Sequence, residues 1–514
     1  MKKHDFYPRA AGVLLPVTML SGPFGIGTLG KEARIFIDFL VSCGFHGWQV
    51  LPVESTGSCF SPYNCISAFA GEPMLIDPYM LLDMELVSHD DINERMNGIS
   101  EDFVDYPKVL EKQWALLQKA YACALHKCAP DGVGELPHNN FTKPWLENYA
   151  LYMAIKERFD GEPWQKWPQE LRDFEKSAIK AAKIKLSKEI DFFKFVQWLF
   201  DKAWTDVKSY ANSREIQIIG DLPFYVSEDS VEVWSQRELF EVNSDGSFAA
   251  VGGAPPDYYN PEGQLWGNPV YDLKKMKSEG YKWWVARMRA ALSRYDVVRL
   301  DHFRGFERYW RIPADALTAI DGKWVKGPGA ALFKALYEKF GDLPIIAEDL
   351  GTIDEKVDAL RNKFGLRGMK VLQFANASDD IHLPHNYTGD TVAFTGTHDN
   401  TTLFAWHGGL DDETRNWAAD YVGFEGDLNA GGPNCAINKA WIRMLYMSGA
   451  SLVIIPIQDL LGYGADTRTN IPGTKAGNWR FRIRSGALSE IDSGYYYHLG
   501  KLAFRQCLPS LTKK

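Results

Sequence analysis

VVRLDHFRGF, Val297–Phe306, is the stretch that decides the predicted fold. It starts with a β-branched pair, which favours a strand, and it ends in charged residues. Side chains alternate along a strand, so Arg299 and Asp301 should share one side and Leu300 the other. A neighbouring arginine lowers the pKa of an aspartate by roughly one to three units. Charge at the C-terminal end of a short apolar strand is typical of the catalytic face of a parallel barrel, and a structural ion pair is the alternative.

Seven further apolar runs bounded by turn residues predict seven more strands. They lie at Gly12–Pro16, Gly47–Val53, Ile216–Pro223, Leu343–Gly351, Met369–Phe374, Thr391–Asp399 and Ser451–Ile457. Helical patterns lie between several of them, at Gly329–Phe340, Ile353–Asn362 and Asn434–Met447. Continuous Val/Ile/Leu strands that alternate with helices indicate a parallel sheet covered by helices. Eight such strands predict the α/β class and a (β/α)8 TIM barrel.

The first predicted helix and the intervals between strands complete the expected architecture. The helix after the first strand has an apolar stripe consisting of Ala33, Ile35, Phe36, Phe39 and Leu40. We predict one catalytic barrel domain over 1–514, with a mainly helical insertion at 54–214 between strands two and three. A second insertion at 227–295, between strands three and four, contains an aromatic, Gly/Pro-rich loop. Loops can lengthen at the C-terminal face of a barrel without breaking the sheet, so both insertions should lie there.

Composition excludes several classes of partner. The 514 residues contain 57 Lys+Arg and 66 Asp+Glu, a formal net charge of -9, which argues against nucleic acids and anionic membranes. Seven cysteines without a C-x-x-C pair predict free thiols in a reducing compartment. Prolines interrupt the apolar run of the N-terminal segment, and no apolar run reaches about 18 residues. We therefore expect a soluble, cytoplasmic protein.

Three acidic residues, Asp301, Glu348 and Asp399, each close a predicted strand. An unpaired buried charge costs several kcal/mol, so carboxylates rarely occupy such positions without a reason. Three of them at equivalent strand ends predict one shared active site.

Other chemistries need motifs that the chain lacks or carries only weakly. No H-E-x-x-H or His-rich cluster occurs, so we predict no metal, and we predict no cofactor. Gly25, Gly27 and Gly30 satisfy G-x-G-x-x-G, but this match to a nucleotide site is weak because no acidic ribose partner follows at the right distance. The G-x-S-x-G motif of serine nucleophiles is absent.

Glycosyl transfer needs only carboxylates. A retaining enzyme uses one as nucleophile and a second, roughly 5 Å away, as acid and then base. Asp301, paired with Arg299, suits the nucleophile because that group must be ionised. Glu348 follows an apolar run, and an apolar setting raises a carboxyl pKa and favours the protonated acid. Asp399, beside His398, could bind sugar hydroxyls more strongly in the transition state.

Seven longer strings resemble the 4-α-glucanotransferases of the amylomaltase, or disproportionating enzyme, family (glycoside hydrolase family 77), relatives of the α-amylase clan. They are SPYNCISAFAGEPMLIDP (61–78), GDLPFYV (220–226), GGAPPDYYNPEGQLWGNP (252–269), VVRLDHFRGF (297–306), IIAEDLG (345–351), FTGTHDN (394–400) and TRTNIPGTKAGNWRFRI (467–483). They occur in order over most of the chain. The resemblance implies the same fold and the same activity.

The resemblance implies that Asp301 is the nucleophile, Glu348 the acid/base and Asp399 the transition-state stabiliser, in agreement with the chemical interpretation. The resemblance further implies these substrate-binding residues, with which we also predict His302: Tyr63, Asp221, Tyr258, Tyr259, Gln264, Trp266, Arg299, His398, Asn470 and Pro472. Four positions depart from the pattern expected of the family, which affects the details of subsite preference: Asn64, Cys65, Glu72 and Phe481.

The expected activity is transfer of an α-1,4-glucan segment to the 4-hydroxyl of another glucan or of glucose, with retained configuration. The expected partners are α-1,4-glucans and maltooligosaccharides. A hydrolase of the same clan is the first alternative, because it would use the same three carboxylates. A non-catalytic glucan-binding protein is the second. His302 and His398 also have a purely structural interpretation.

Overall fold

In the computed structural model, which describes residues 9–128, 135–257, 260–376, 381–474 and 476–505, eight parallel strands close into a barrel. In chain order the strands are β1 (Ala10–Leu14), β2 (Gly47–Gln49), β3 (Gln217–Leu222), β4 (Ala250–Ala254), β5 (Gln264–Pro269), β6 (Val297–Leu300), β7 (Arg308–Pro313), β8 (Lys323–Lys326), β9 (Ile345–Ala347), β10 (Arg367–Val371), β11 (Thr391–Phe394) and β12 (Leu452–Pro456). The order around the barrel is β1-β2-β3-β6-β9-β10-β11-β12, and β12 pairs with β1. The (β/α)8 prediction and its eight strands are confirmed, with shifted boundaries.

Alternation along the strands decides which side chains enter the barrel. Val297 lies in the apolar cluster that fills the barrel, whereas Val298 and Leu300 lie in the cluster between strands and helices. Because Val297 points inward, Arg299 and Asp301 point inward too. The predicted shared side of Arg299 and Asp301 is therefore confirmed.

Helices cover the barrel and fill the intervals between its strands. They are α1 (Lys31–Ser42), α2 (Pro78–Asp83), α3 (His89–Met96), α4 (Tyr106–Cys128), α5 (Leu146–Arg158), α6 (Gln169–Arg172), α7 (Lys176–Lys185), α8 (Ser187–Ser213), α9 (Val231–Ser235), α10 (Leu273–Ser278), α11 (Lys282–Arg294), α12 (Arg304–Glu307), α13 (Gly329–Phe340), α14 (Glu355–Lys363), α15 (Leu403–Gly408), α16 (Asp412–Tyr421), α17 (Ala436–Met447), α18 (Ile457–Leu461) and α19 (Ser493–Leu502). The three predicted helices after the fourth strand are confirmed as α13, α14 and α17, with bounds shifted by up to two residues.

One detail of the predicted apolar stripe of α1 is wrong. Ile35 is 41% exposed, and Ile37 is buried in its place. The spacing i, i+3, i+4 from Ala33 leads to Phe36 and Ile37, so Ile35 lies outside the face that packs on the barrel.

A second, antiparallel sheet, which sequence patterns did not predict, has the strand order β5-β4-β7-β8. Its strands are hard to recognise because they are short and contain glycine or partly exposed residues. A Cβ atom at Gly253 would lie 2.1 Å from the Gln264 carbonyl oxygen, so the close approach of β4 and β5 requires glycine there. The second sheet is relevant to function because β5 carries Gln264 and Trp266.

The long intervals between barrel strands hold the elements that surround the barrel mouth. Helices α2 to α8 lie between β2 and β3, and β4, β5 and α9 to α11 lie between β3 and β6. The division into insertions at 54–214 and 227–295 of one catalytic domain stays a prediction. Within the described residues, no helix has both the length and the apolar character that a membrane span requires.

Candidate active site

Asp301 and Glu348 are placed together by the register of two neighbouring strands. Leu300, the last residue of β6, pairs with Ala347, the last residue of β9. Asp301 and Glu348 follow these paired residues, and the Glu348 amide donates to the Leu300 carbonyl at 3.0 Å. Two carboxyl groups therefore leave adjacent strands at the same C-terminal rim.

The environment of Glu348 favours its protonated form. Its Oε2 accepts the His302 amide at 2.7 Å, a bond that by itself lowers the pKa, and its Oε1 accepts the Leu350 amide at 3.2 Å, but burial outweighs this effect. Burial raises the pKa of Glu348 to about 8; the negative charge of Asp301 adds to this rise, and the Arg299 guanidinium opposes it. Glu348 therefore holds a proton near neutral pH and can donate it.

Arg299 holds Asp301 in a network of charges. Its Nη1 lies 3.0 Å from Asp301 Oδ1 and 2.7 Å from both oxygens of Asp221. The Tyr63 hydroxyl donates to Asp221 Oδ2 at 2.8 Å. Arg299 and Asp221 are buried, whereas a quarter of the Asp301 side chain is exposed. The arginine thus orients an accessible aspartate.

Asp399 is held differently, by groups from two loops. Asn470 Nδ2 donates to Asp399 Oδ1 at 2.6 Å, and His398 Nε2 lies 3.4 Å from Asp399 Oδ2. The Arg468 guanidinium donates to the backbone carbonyl of Asp399. The Asp399 side chain is 46% exposed, so it remains open to a ligand.

Tyr63 connects the two halves of the site. Its ring stacks on His398 with 5.0 Å between ring centroids, and its hydroxyl binds Asp221. Burial raises the pKa of Tyr63 well above its ordinary value, and the charges of Asp221, Asp301 and Asp399 raise it further, against the opposing Arg299. Asp221, Asp301 and Asp399 therefore all lie close enough to Tyr63 to influence its pKa.

Trp266 and His302 form an aromatic surface on the side of the site where Glu348 lies. The Trp266 ring meets the His302 ring edge-on, at 5.0 Å between centroids, and Trp266 Nε1 donates to Gln264 Oε1 at 3.0 Å. Burial lowers the pKa of His302 to about 4, so its imidazole is neutral at physiological pH. Among the described residues, His302 Nε2 is buried and has no hydrogen-bond partner.

The remaining predicted residues have different positions. Pro472 lies in an exposed turn. Tyr258 and Tyr259 lie outside the described residues.

Two residues that the sequence analysis did not single out belong to the site. Trp479 packs near Tyr63 and His398, with ring centroids 6.0 and 5.9 Å away, and Arg468 binds Asp399. Both lie in the string 467–483, which is the signal that could have identified them.

The weak nucleotide motif has a packing explanation. Gly30 caps the N-terminus of α1, where a phosphate would bind in a dinucleotide site. A Cβ atom at Gly30 would lie 1.9 Å from Asp77 Oδ2, so the Asp77 carboxylate already lies against this helix end. Thr28 Oγ1 donates to the same oxygen at 2.6 Å. The Asp77 side chain therefore fills the space beside Gly30 that a bound phosphate would need.

A (β/α)8 barrel with carboxyl groups gathered at its C-terminal rim, one of them protonated near neutral pH, defines the class of barrel enzymes that act on glycosidic bonds. The family model described as 4-alpha-glucanotransferase matches residues 15–488. The chain belongs to this family and is an enzyme of the 4-alpha-glucanotransferase type, a glucan transglycosylase.

Individual relatives agree with this assignment. The 4-alpha-glucanotransferase of Thermus thermophilus is 42% identical over 487 residues, which cover 94% of this chain and 96% of the relative. That of Aquifex aeolicus is 42% identical over 480 residues, 93% of this chain and 96% of the relative. The amylomaltase from Streptococcus agalactiae, solved in complex with acarbose, has a TM-score of 0.92 and 39% identity, and covers 97% of this chain and 99% of its own.

Proposed function

We propose that the enzyme transfers α-1,4-glucan segments by a retaining double displacement in which Asp301 is the nucleophile and Glu348 the acid and base. An Asp301 oxygen attacks the anomeric carbon of the donor, and the glycosidic bond to the leaving sugar breaks. The Glu348 proton moves to the oxygen of that departing sugar. The products of this half are the transferred glucan segment, bound through its anomeric carbon as an ester of Asp301, and a free shorter glucan or glucose.

The second half reverses these roles. The acceptor, a second glucan or glucose, presents its 4-hydroxyl to the ester. Glu348 takes the hydroxyl proton, the oxygen forms a new α-1,4 bond to the anomeric carbon, and the bond to Asp301 breaks. Both displacements invert the anomeric carbon, so the configuration is retained overall.

The observation that carries this proposal is the contrast between the two carboxyls at paired strand ends. Asp301 lies 3.0 Å from the Arg299 guanidinium, which orients it, and a quarter of its side chain is exposed to an incoming donor. Burial raises the pKa of Glu348 to about 8, which favours an acid that still has its proton. An exposed carboxyl oriented by an arginine, beside a buried carboxyl that keeps its proton, matches the requirement for a nucleophile and an acid.

We assign Asp399 to stabilisation of the transition state, since its exposed carboxylate can accept sugar hydroxyls. His398 and Asn470 hold that carboxylate from two sides. We keep the other predicted residues as the substrate-binding set: Tyr63, Asp221, Tyr258, Tyr259, Gln264, Trp266, Arg299, His302 and Pro472. The proposed substrates are α-1,4-glucans and maltooligosaccharides, and free cysteines support the cytoplasm as the proposed location.

Transfer outcompetes hydrolysis if the acceptor is much better placed than water. Correct positioning can contribute about 7–11 kcal/mol to lowering a barrier, which is enough to compensate for the high concentration of water. Trp266, 38% exposed beside His302, offers an apolar ring on which an acceptor sugar can stack.

Incubation of the purified enzyme with maltotriose tests the proposal. We expect longer maltooligosaccharides together with free glucose, and a nearly constant number of reducing ends. A continuous rise in reducing ends, with only shorter products, would instead identify a hydrolase. Unchanged maltotriose would leave only the binding protein as the interpretation.

A further inference from the structure

Asp399 lies too far beyond its strand to be positioned by the barrel. Strand β11 ends at Phe394, and Asp399 follows five residues later in the loop 395–402. Asn470, which binds its carboxylate, lies in a second loop that follows β12. The loop 395–402 and the loop that carries Asn470 must therefore be held in fixed positions relative to one another.

Asp459 fixes both ends of the loop that carries Asp399. This residue belongs to α18, directly after β12, and is buried. Its Oδ2 accepts the Thr395 hydroxyl at 2.6 Å, and its Oδ1 accepts the Leu403 amide at 2.7 Å. Thr395 is the first residue of the loop and Leu403 is the first residue after it, so one carboxylate binds both ends of the loop.

Gln458, the preceding residue, fixes the second loop. Its Nε2 donates to the Thr467 carbonyl and to Thr469 Oγ1, both at 3.1 Å. The bound residues flank Arg468 and lead directly to Asn470. Gln458 is buried as well, which strengthens these bonds by excluding water.

We propose that Gln458 and Asp459 are positioning residues for the reaction: together they set the two loops that aim the Asp399 carboxylate at the reacting sugar. The inference rests on the proposed function of Asp399. Neither residue needs to touch the substrate. Because a misplacement of about 1 Å can cost roughly 10²-fold in rate, a loosened loop should lower kcat strongly.

The chain contains a matched control elsewhere. Asp77 is a buried carboxylate that accepts the Thr28 hydroxyl at 2.6 Å and the Tyr79 amide at 2.8 Å. Thr28→Val and Thr395→Val each remove a hydroxyl donor from a buried aspartate, and each leaves an unsatisfied carboxylate oxygen. The two variants should lose similar stability, yet only Thr395→Val touches a loop of the site.

The test measures kcat, KM and thermal stability of the full-length variants with maltotriose. We expect Thr395→Val to lower kcat at least tenfold while KM changes little, and Thr28→Val to leave kcat unchanged. Gln458→Met, which keeps a similar side-chain length but removes both hydrogen bonds of the amide, should lower kcat at least tenfold. Equal kcat losses in Thr395→Val and Thr28→Val, or no loss in Thr395→Val and Gln458→Met, would overturn the proposal.

A double-mutant cycle separates positioning from general destabilisation. If Asp459 acts through Asp399, Asn470→Ala should cost less in a Thr395→Val background than in the wild type, because the carboxylate is already misplaced. Fully multiplicative effects on kcat would contradict the inference. Asp399→Asn reports on the underlying assumption: full activity in that variant refutes the assigned role of Asp399 itself, whereas its loss alongside multiplicative effects refutes only the positioning role.

Discussion

Glu348 and Asp399 lie at two strand ends separated by β10, and the chain positions them in different ways. Glu348 is the first residue after β9, and its backbone amide bonds to the neighbouring strand. Asp399 lies five residues beyond β11, and its carboxylate is held by side chains from loops. The barrel strands alone position Glu348. The position of Asp399 depends on Asn470 and, by inference, on Asp459.

The two side chains also differ in their exposure to solvent. Glu348 is partly buried with two backbone amides on its carboxyl, and burial raises its pKa to about 8. Asp399 is 46% exposed and carries side-chain partners. A strand end thus provides a fixed, poorly hydrated position for proton transfer. A loop provides an accessible carboxylate whose geometry depends on distant residues.

The largest effect is expected for Glu348→Gln. Loss of the acid should lower kcat on maltotriose roughly 10²–10⁴-fold. A donor with fluoride as leaving group, such as α-maltosyl fluoride, needs no proton, so its first displacement should proceed in this variant. Comparison of the two donors by stopped-flow kinetics checks this. Equal losses on both donors would contradict the role of Glu348 as acid.

Glu232→Gln is the matched control for this prediction. Burial raises the pKa of Glu232 to about 7, so it is also a buried, easily protonated glutamate. It accepts the Ser67 hydroxyl at 3.0 Å and has no proposed role in the reaction. We expect its replacement to change thermal stability but not the ratio of the rates on the two donors.

The difference between the two regions also explains what could be predicted from the sequence. Asp301 and Glu348 directly follow apolar strands. The alternation of side chains along a strand predicts which way they point, so a local sequence pattern was sufficient to identify them. Asn470 lies 71 residues from Asp399, and Asp459 lies 64 residues from Thr395. No local period relates such partners, and only the strings of family resemblance pointed to Asn470.

The second sheet was missed for a related reason. Its strands β4 and β8 pair with β7; AVGGA consists mainly of glycine and alanine, which are depleted in strands, and KWVK is only four residues long. The position of Trp266 beside His302 therefore follows from tertiary contacts that local preference does not specify.

An intermediate effect is expected for Asn470→Ala. The variant removes a hydrogen bond to a charged carboxylate, an interaction worth about 1.5–3 kcal/mol, so kcat should fall roughly 10- to 100-fold. Asn212→Ala is the control, because Asn212 Nδ2 donates to Asp296 Oδ2 at 2.8 Å just before the N-terminal end of β6. We expect kcat to be unchanged in Asn212→Ala. Similar losses of kcat in both variants would show that Asn470 has no special role in positioning Asp399.

The smallest effect is expected in the pH profile of Asp349→Asn. Glu348 must be protonated for the first displacement, so activity should fall as the pH rises through its pKa of about 8. The negative charge of Asp349 contributes to that raised pKa. Its removal should lower the pKa of Glu348 and move the basic limb of kcat/KM to lower pH.

Asp358→Asn controls for the loss of one negative charge from the same ion-pair network. Arg361 binds Asp349 at 2.9 Å and the half-exposed Asp358 at 3.3 Å. Solvent screens the exposed charge, so the basic limb should stay in place in Asp358→Asn. A basic limb that does not move in Asp349→Asn would indicate that another group titrates there.

Mass spectrometry of a trapped intermediate tests the central claim most directly. In Glu348→Gln incubated with α-maltosyl fluoride, the first displacement should proceed and the second should stall for lack of a base. The account predicts a proteolytic peptide containing Asp301 whose mass is increased by one covalently bound maltosyl group. A maltosyl group on a peptide containing Asp399 instead, or consumption of the fluoride without any covalent adduct, would contradict it.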